Sequence, residues 1–227
     1  MDFDVEWILT DIEGTTTEVS FVYDVLFPYF RTHMDTWLDV DSDQMKEVLE
    51  QTKSIALEEQ SIHLTSKAAL FEQLRTWSLE DRKITPLKTF QGMVWEQGFK
   101  SGAIKGHVYT DVQPALERWY NNGIKLAVFS SGSIAAQKQL FGYSIEGDLT
   151  TYFSDFFDTT TGMKRDAKTY QLIVAKLQVP ANKVLFLSDI PQELVAAEAA
   201  GLQTLQLVRP GTQVNWQNWV NSFGDIQ

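Results

Sequence analysis

Three short runs of this chain, WILTD at 7–11, KLAVFSS at 125–131 and VLFLSD at 184–189, are mostly apolar and then end abruptly in carboxylates or hydroxyls. A strand with one wet face would alternate polar and apolar residues. Runs apolar on both faces belong to a parallel sheet covered by helices on each side. The stretches between the later runs supply those helices. Asp111 is placed to N-cap a helix whose apolar face is Leu116, Trp119 and Tyr120, with Gly123 just past its end. IAAQKQLF stops before Gly142, residues 168–178 space Tyr170, Ile173, Val174 and Leu177 at i, i+3, i+4 and i+7, and PQELVAAEAAG closes at Gly201. A short strand is expected near Phe156–Asp158 and another at TLQLV. The tail NWQNWVNSF is expected to be an amphipathic helix. The alternation predicts an α/β fold with a Rossmann-like parallel sheet.

Residues 21–107 break the pattern. Segments 21–38, 43–60 and 66–80 and the stretch LKTFQGMVWEQGF after Pro86 carry helical spacing, and strand signals are lacking. The expected organisation is a core of 1–20 and 108–227, with 21–107 inserted as a helical domain.

Composition narrows the ligand classes. Formal net charge is −11, with no basic run, so nucleic-acid phosphates and anionic lipid are poor partners. No stretch reaches the length of a membrane span, the amino terminus MDFDVEW is unlike a signal peptide, and the absence of cysteine excludes disulfides and thiolate chemistry. The expectation is a soluble, cytoplasmic monomer.

Ligands of an open parallel sheet bind beyond the carboxyl ends of its strands. Asp11, Ser130–Ser131 and Ser188–Asp189 all fall at such ends, and Lys164 lies in the loop before the 168–178 helix. Asp11 and Glu13, two apart in extended chain, point to one side, and Gly14 lets the chain turn after them. Two adjacent carboxylates ionise together only at high cost unless a cation intervenes or their roles divide. One can be a nucleophile beside Mg²⁺ while the other moves protons. Asp189 brings a further oxygen ligand for that ion. SSGS opens a helix whose N–H groups suit an anion, and Lys164 suits a phosphate oxygen. Together these make a phosphoryl-transfer site. Glu193 has two open readings, support for the metal shell or a favourable charge in the first turn of its helix. His33, His63 and His107 lack ligand spacing and are read as structural or exposed. Trp37, Trp77, Trp95 and Trp119 are read as core, with Trp95 alternatively facing a pocket.

DIEGTT, VFSSGS, GMK and FLSDIPQE, in that order, resemble the four motifs of the haloacid dehalogenase (HAD) superfamily. The resemblance implies that Asp11 is phosphorylated, Glu13 protonates the leaving group and then activates water, Ser130 and Lys164 hold phosphate, and Asp189 holds Mg²⁺. Most phosphatases of that superfamily carry Asp where this chain has Glu13. DIEGTTTEVSFVYDVLFPYF, FQGMVWEQGFKSGAIKGHVYTDVQPALERW and SSGSIAAQKQLFGYSIEGDL are similar to the enolase-phosphatases, also called acireductone synthases. That likeness implies that the insertion is a cap, that Asp11, Glu13 and Asp189 surround Mg²⁺, and that Ser131 joins Ser130 at the substrate. It further implies a two-step reaction of methionine salvage, in which 2,3-diketo-5-methylthiopentyl-1-phosphate is enolised and then hydrolysed to the acireductone. A HAD phosphatase of another small phosphate ester, and a non-catalytic binding protein on the same fold, remain as alternatives.

Overall fold

The computed structural model describes residues 3–226, so residues 1 and 2 of the amino-terminal stretch discussed above lie outside the described residues. The chain divides into two compact units, one of residues 1–21 with 105–227 and one of residues 22–104.

The first unit opens with β1 (Trp7–Thr10), buried along its whole length. The second unit follows and is helical. A π-helical turn over Phe21–Leu26 leads into α1 (Phe27–His33), and a 3₁₀ turn over Met34–Trp37 ends the segment. The sequence spacing predicted helix throughout 21–38. Pro28, at the start of α1, lacks the N–H that a continuous α ladder needs there, so the hydrogen-bond register changes. Then come α2 (Asp43–Gln60), α3 (Lys67–Leu79) and α4 (Thr85–Ser101). Ser42 and Ser66 cap α2 and α3 by accepting from the N–H groups of Met45 and Ala69, both at 3.2 Å. Gly102, at φ 75°, ends α4. Phe30 and Phe71 each meet Phe90 edge-on, with ring centroids 5.3 Å apart. Trp77 is fully buried, and the Trp95 indole donates to the Leu26 carbonyl at 2.8 Å, so both are core residues of this unit.

The first unit resumes with α5 (Val112–Asn121), β2 (Lys125–Phe129), α6 (Ile134–Gly142), β3 (Phe153–Phe157), α7 (Ala167–Leu177), β4 (Val184–Ser188), α8 (Pro191–Ala199), β5 (Gln203–Leu207) and β6 (Trp219–Val220). All six strands are parallel, in the order β3-β2-β1-β4-β5-β6. The fold is therefore the α/β parallel-sheet class that the apolar runs require. One side of the sheet packs Leu9, Phe129, Phe157 and Phe186 against Tyr170, Ile173 and Leu194 of α7 and α8. Among the described residues no helix is long and apolar enough to cross a membrane.

Two expectations are corrected. The tail is not a helix: Trp219–Val220 adds a sixth strand to β5, and a 3₁₀ turn follows at Phe223–Asp225. Asp111 precedes α5 but makes no side-chain cap there. Its Oδ2 instead accepts from the Phe223 N–H at 2.7 Å, the Ser222 hydroxyl at 2.9 Å and Arg209 Nη1 at 2.8 Å. The carboxylate holds the tail, not its own helix.

Candidate active site

Strand register places the first carboxylate. Thr10 is level with Leu187 on β4, and the Asp11 N–H donates to the Leu187 carbonyl at 2.9 Å, so Asp11 emerges beside Ser188. Its carboxylate, 4% exposed, accepts from the Ile12 N–H at 2.7 Å through Oδ1. Oδ2 lies 2.7 Å from Lys164 Nζ, which also lies 2.7 Å from Glu193 Oε2. The Ser188 hydroxyl donates to the same Glu193 oxygen at 2.9 Å. Thus Asp11, Lys164, Glu193 and Ser188 form one buried row across the ends of β1 and β4.

Burial alone would drive proton loss from Lys164, but Asp11 and Glu193 outweigh it and hold the ammonium charged. The Tyr170 hydroxyl donates to the Lys164 carbonyl at 2.7 Å, which ties the lysine's backbone to α7. Glu193 is the partner of Lys164. It stands in the first turn of α8, as one of the two readings has it, but the lysine partner escapes both, because the pairing joins a helix and a loop whose proximity only the sheet creates. Its carboxyl is pushed up to about 7, by burial first and then by Asp11.

Asp189 follows β4. Burial, and then the Asp11 charge, push its carboxyl up to about 7, with Glu13 adding to the same effect. Its Oδ1 is buried and accepts no hydrogen bond. Gly14 turns at φ 70° immediately against it, and a Cβ there would fall 2.3 Å from Asp189 Oδ2. Glycine is therefore required twice over, by conformation and by space. An orphaned carboxylate oxygen beside two further acids, all hard oxygen donors, fits a hard divalent cation. Among the described residues no three His, Cys, Asp or Glu side chains make a closed metal cage.

Ser130 follows β2 and is 3% exposed; its N–H donates to the Phe157 carbonyl at 3.2 Å and its hydroxyl accepts from the Gly132 N–H at 3.3 Å. Ser131 is exposed. Ser133 is the residue that caps α6, accepting from the Ala136 N–H at 3.2 Å. Asp158, which the sequence reading left without a role, shapes this turn. It accepts from the Ile134 N–H at 3.1 Å and from the Thr160 hydroxyl at 2.6 Å. Its position at the end of β3, like Asp11 after β1, was the available signal.

Glu13 is half-buried, and an isolated parallel bridge joins it to Thr17. The geometry thus brings Asp11 and Glu193 each into contact with Lys164, and sets Glu13 and Asp189 within electrostatic reach of each other.

Comparison with known proteins follows the same lines. The family model for haloacid dehalogenase-like hydrolases matches residues 5–201. A protein of Picosynechococcus sp. named Enolase-phosphatase E1 is 49% identical over 98% of this chain and 98% of its own length. One of the same name from Hahella chejuensis is 50% identical over 96% of this chain and 94% of its own. The crystal structure of the UTR4 protein of Saccharomyces cerevisiae superposes with a TM-score of 0.80 at 32% identity, covering 96% of this chain and 98% of that one. The chain belongs to the haloacid dehalogenase-like hydrolase family.

Proposed function

We propose that the protein is an enolase-phosphatase that enolises 2,3-diketo-5-methylthiopentyl-1-phosphate and then hydrolyses its phosphate ester to the acireductone, 1,2-dihydroxy-3-keto-5-methylthiopentene. The observation that carries this reading is the near-complete alignment, at 49% identity, with a relative of that name. The buried row of Asp11, Lys164 and Glu193 supports its hydrolytic half. In this reading the unit of residues 22–104 is the cap domain, and the enzyme acts as a cytoplasmic monomer on a small phosphate ester.

The Asp11 carboxylate attacks phosphorus, the bond from phosphorus to the ester oxygen breaks, and Glu13 gives that oxygen a proton. Glu13 then takes a proton from water, which attacks the phospho-aspartate and returns Asp11 with release of phosphate. The Lys164 ammonium and the Ser130 hydroxyl hold the phosphoryl oxygens, with Ser131 beside them at the substrate. Asp11, Glu13 and Asp189 would hold Mg²⁺, which would offset phosphate charge and polarise the diketone.

The test is incubation with the diketone phosphate and Mg²⁺ while enol absorbance and free phosphate are followed together. Appearance of both is expected from the wild type, and neither phosphate nor turnover from Asp11→Asn. Phosphate without the enol would point to a phosphatase of another ester. Inactivity on every ester tried would leave a binding protein.

A further inference from the structure

Arg209, two residues past β5, is 6% exposed and lies outside every motif considered so far. A charge buried to that depth requires partners. One is the Asp111 carboxylate, and Nη1 also donates to the Asn221 carbonyl at 3.2 Å. The guanidinium also lies 4.1 Å from the centroid of the Tyr109 ring. A further contact leads to the catalytic loop: Nε donates to the Thr15 carbonyl at 3.0 Å, across 194 residues of sequence.

That loop is wound from within. The N–H groups of Thr15, Thr16 and Thr17 all donate to the Ile12 carbonyl, and Gly14 N–H donates to the Thr17 carbonyl at 2.8 Å. Its outward carbonyls are secured from elsewhere, Thr15 by Arg209 and Thr16 by the Tyr109 N–H at 2.9 Å. Between the Asp11 backbone and these two points hang Glu13 and Gly14, and Gly14 is pressed against the Asp189 carboxylate. Release of the Thr15 carbonyl therefore lets Glu13 and Gly14 drift relative to Asp11 and Asp189.

We infer that Arg209 is a positioning residue: through the Thr15 carbonyl it sets where Glu13 stands relative to Asp11 and Asp189. This rests on the proton-handling role proposed for Glu13. Its fork matters as well as its charge, because Nε and Nη1 serve three acceptors in fixed directions. Lysine supplies one nitrogen and no such fork.

The experiment compares Arg209→Lys and Arg209→Met with Ser222→Ala, which loosens the tail at Asp111 but leaves the contact with Thr15. All are assayed in Mg²⁺ well below their unfolding temperatures, and amide exchange of Gly14–Thr17 is followed without substrate. Both Arg209 variants are expected to exchange about tenfold faster in that loop. They should lose about 100-fold in kcat, with KM within about threefold. Millimolar guanidinium should restore part of the methionine variant's kcat. Ser222→Ala should show none of these changes. If Arg209→Met fails to fold, Arg209→Lys decides alone. Wild-type exchange and kcat in a folded Arg209 variant would overturn the inference. A wild type inactive on phosphate esters would overturn the proposed function instead, and loop exchange would still judge whether Arg209 holds the loop.

Discussion

Lys164 Nζ stands 2.7 Å from Asp11 Oδ2 in a setting where both side chains are more than nine-tenths buried. Removing one partner of such a pair leaves charge without compensation, a loss of about 3–5 kcal/mol. Lys164→Met strands two carboxylates at once, Asp11 and Glu193. We expect it to lower the urea midpoint of unfolding and to cut kcat/KM at least 100-fold through both kcat and KM. Glu193→Gln keeps an acceptor for Ser188 and leaves Asp11 to hold the ammonium. It should be the milder change in both measurements. Equal urea midpoints for Lys164→Met and wild type would show that the row contributes nothing to folding.

Gly14→Ala tests the contact with Asp189. Its Cβ would demand the space of the Asp189 carboxylate at φ 70°, a conformation that costs an alanine about 1–2 kcal/mol. Asp189 must move. The expected result is a Mg²⁺ requirement raised about tenfold, read from the concentration giving half-maximal phosphate release. An unchanged Mg²⁺ titration would separate Asp189 from the metal.

Asp111 supplies the pH prediction. Burial pushes its carboxyl up, but the Arg209 hydrogen bond and charge, with the Phe223 N–H and Ser222, outweigh it and hold the group below the ordinary aspartate range. A carboxyl depressed on folding contributes stability that is fully present above its unfolded pKa. That contribution is lost as pH falls through the folded value. Asp111→Asn should therefore be less stable than wild type at pH 7, by about 3 kcal/mol because Arg209 is left buried. The deficit should shrink as both proteins are acidified below about pH 4. Urea titrations at a series of pH values measure it. A deficit constant down to pH 2 would contradict the assignment.

The elements that could be read from sequence are those whose signal is local. β1, β2 and β4 announced themselves by apolar runs, and α2, α3 and α7 by their period. The polar ends of the strands pointed to Asp11, Ser130 and Asp189 because a parallel sheet puts every strand's carboxyl end on the same edge. What escaped depended on distant partners. Asp111 had the look of a cap, yet its ligands lie 98 and more residues away. The tail had helical spacing, but two of its residues complete a sheet edge that only β5 creates. Glu193 was legible as an acid in the first turn of α8, but its partner Lys164 comes from the loop before α7.

The Thr17 hydroxyl donates to the His107 carbonyl at 2.7 Å, and the Glu18 N–H reaches His107 Nδ1 at 3.2 Å. The chain's departure from the α/β unit and its return are thus fastened to each other within that unit. The excursion of residues 22–104 therefore starts and ends at one pinned neck of the α/β unit.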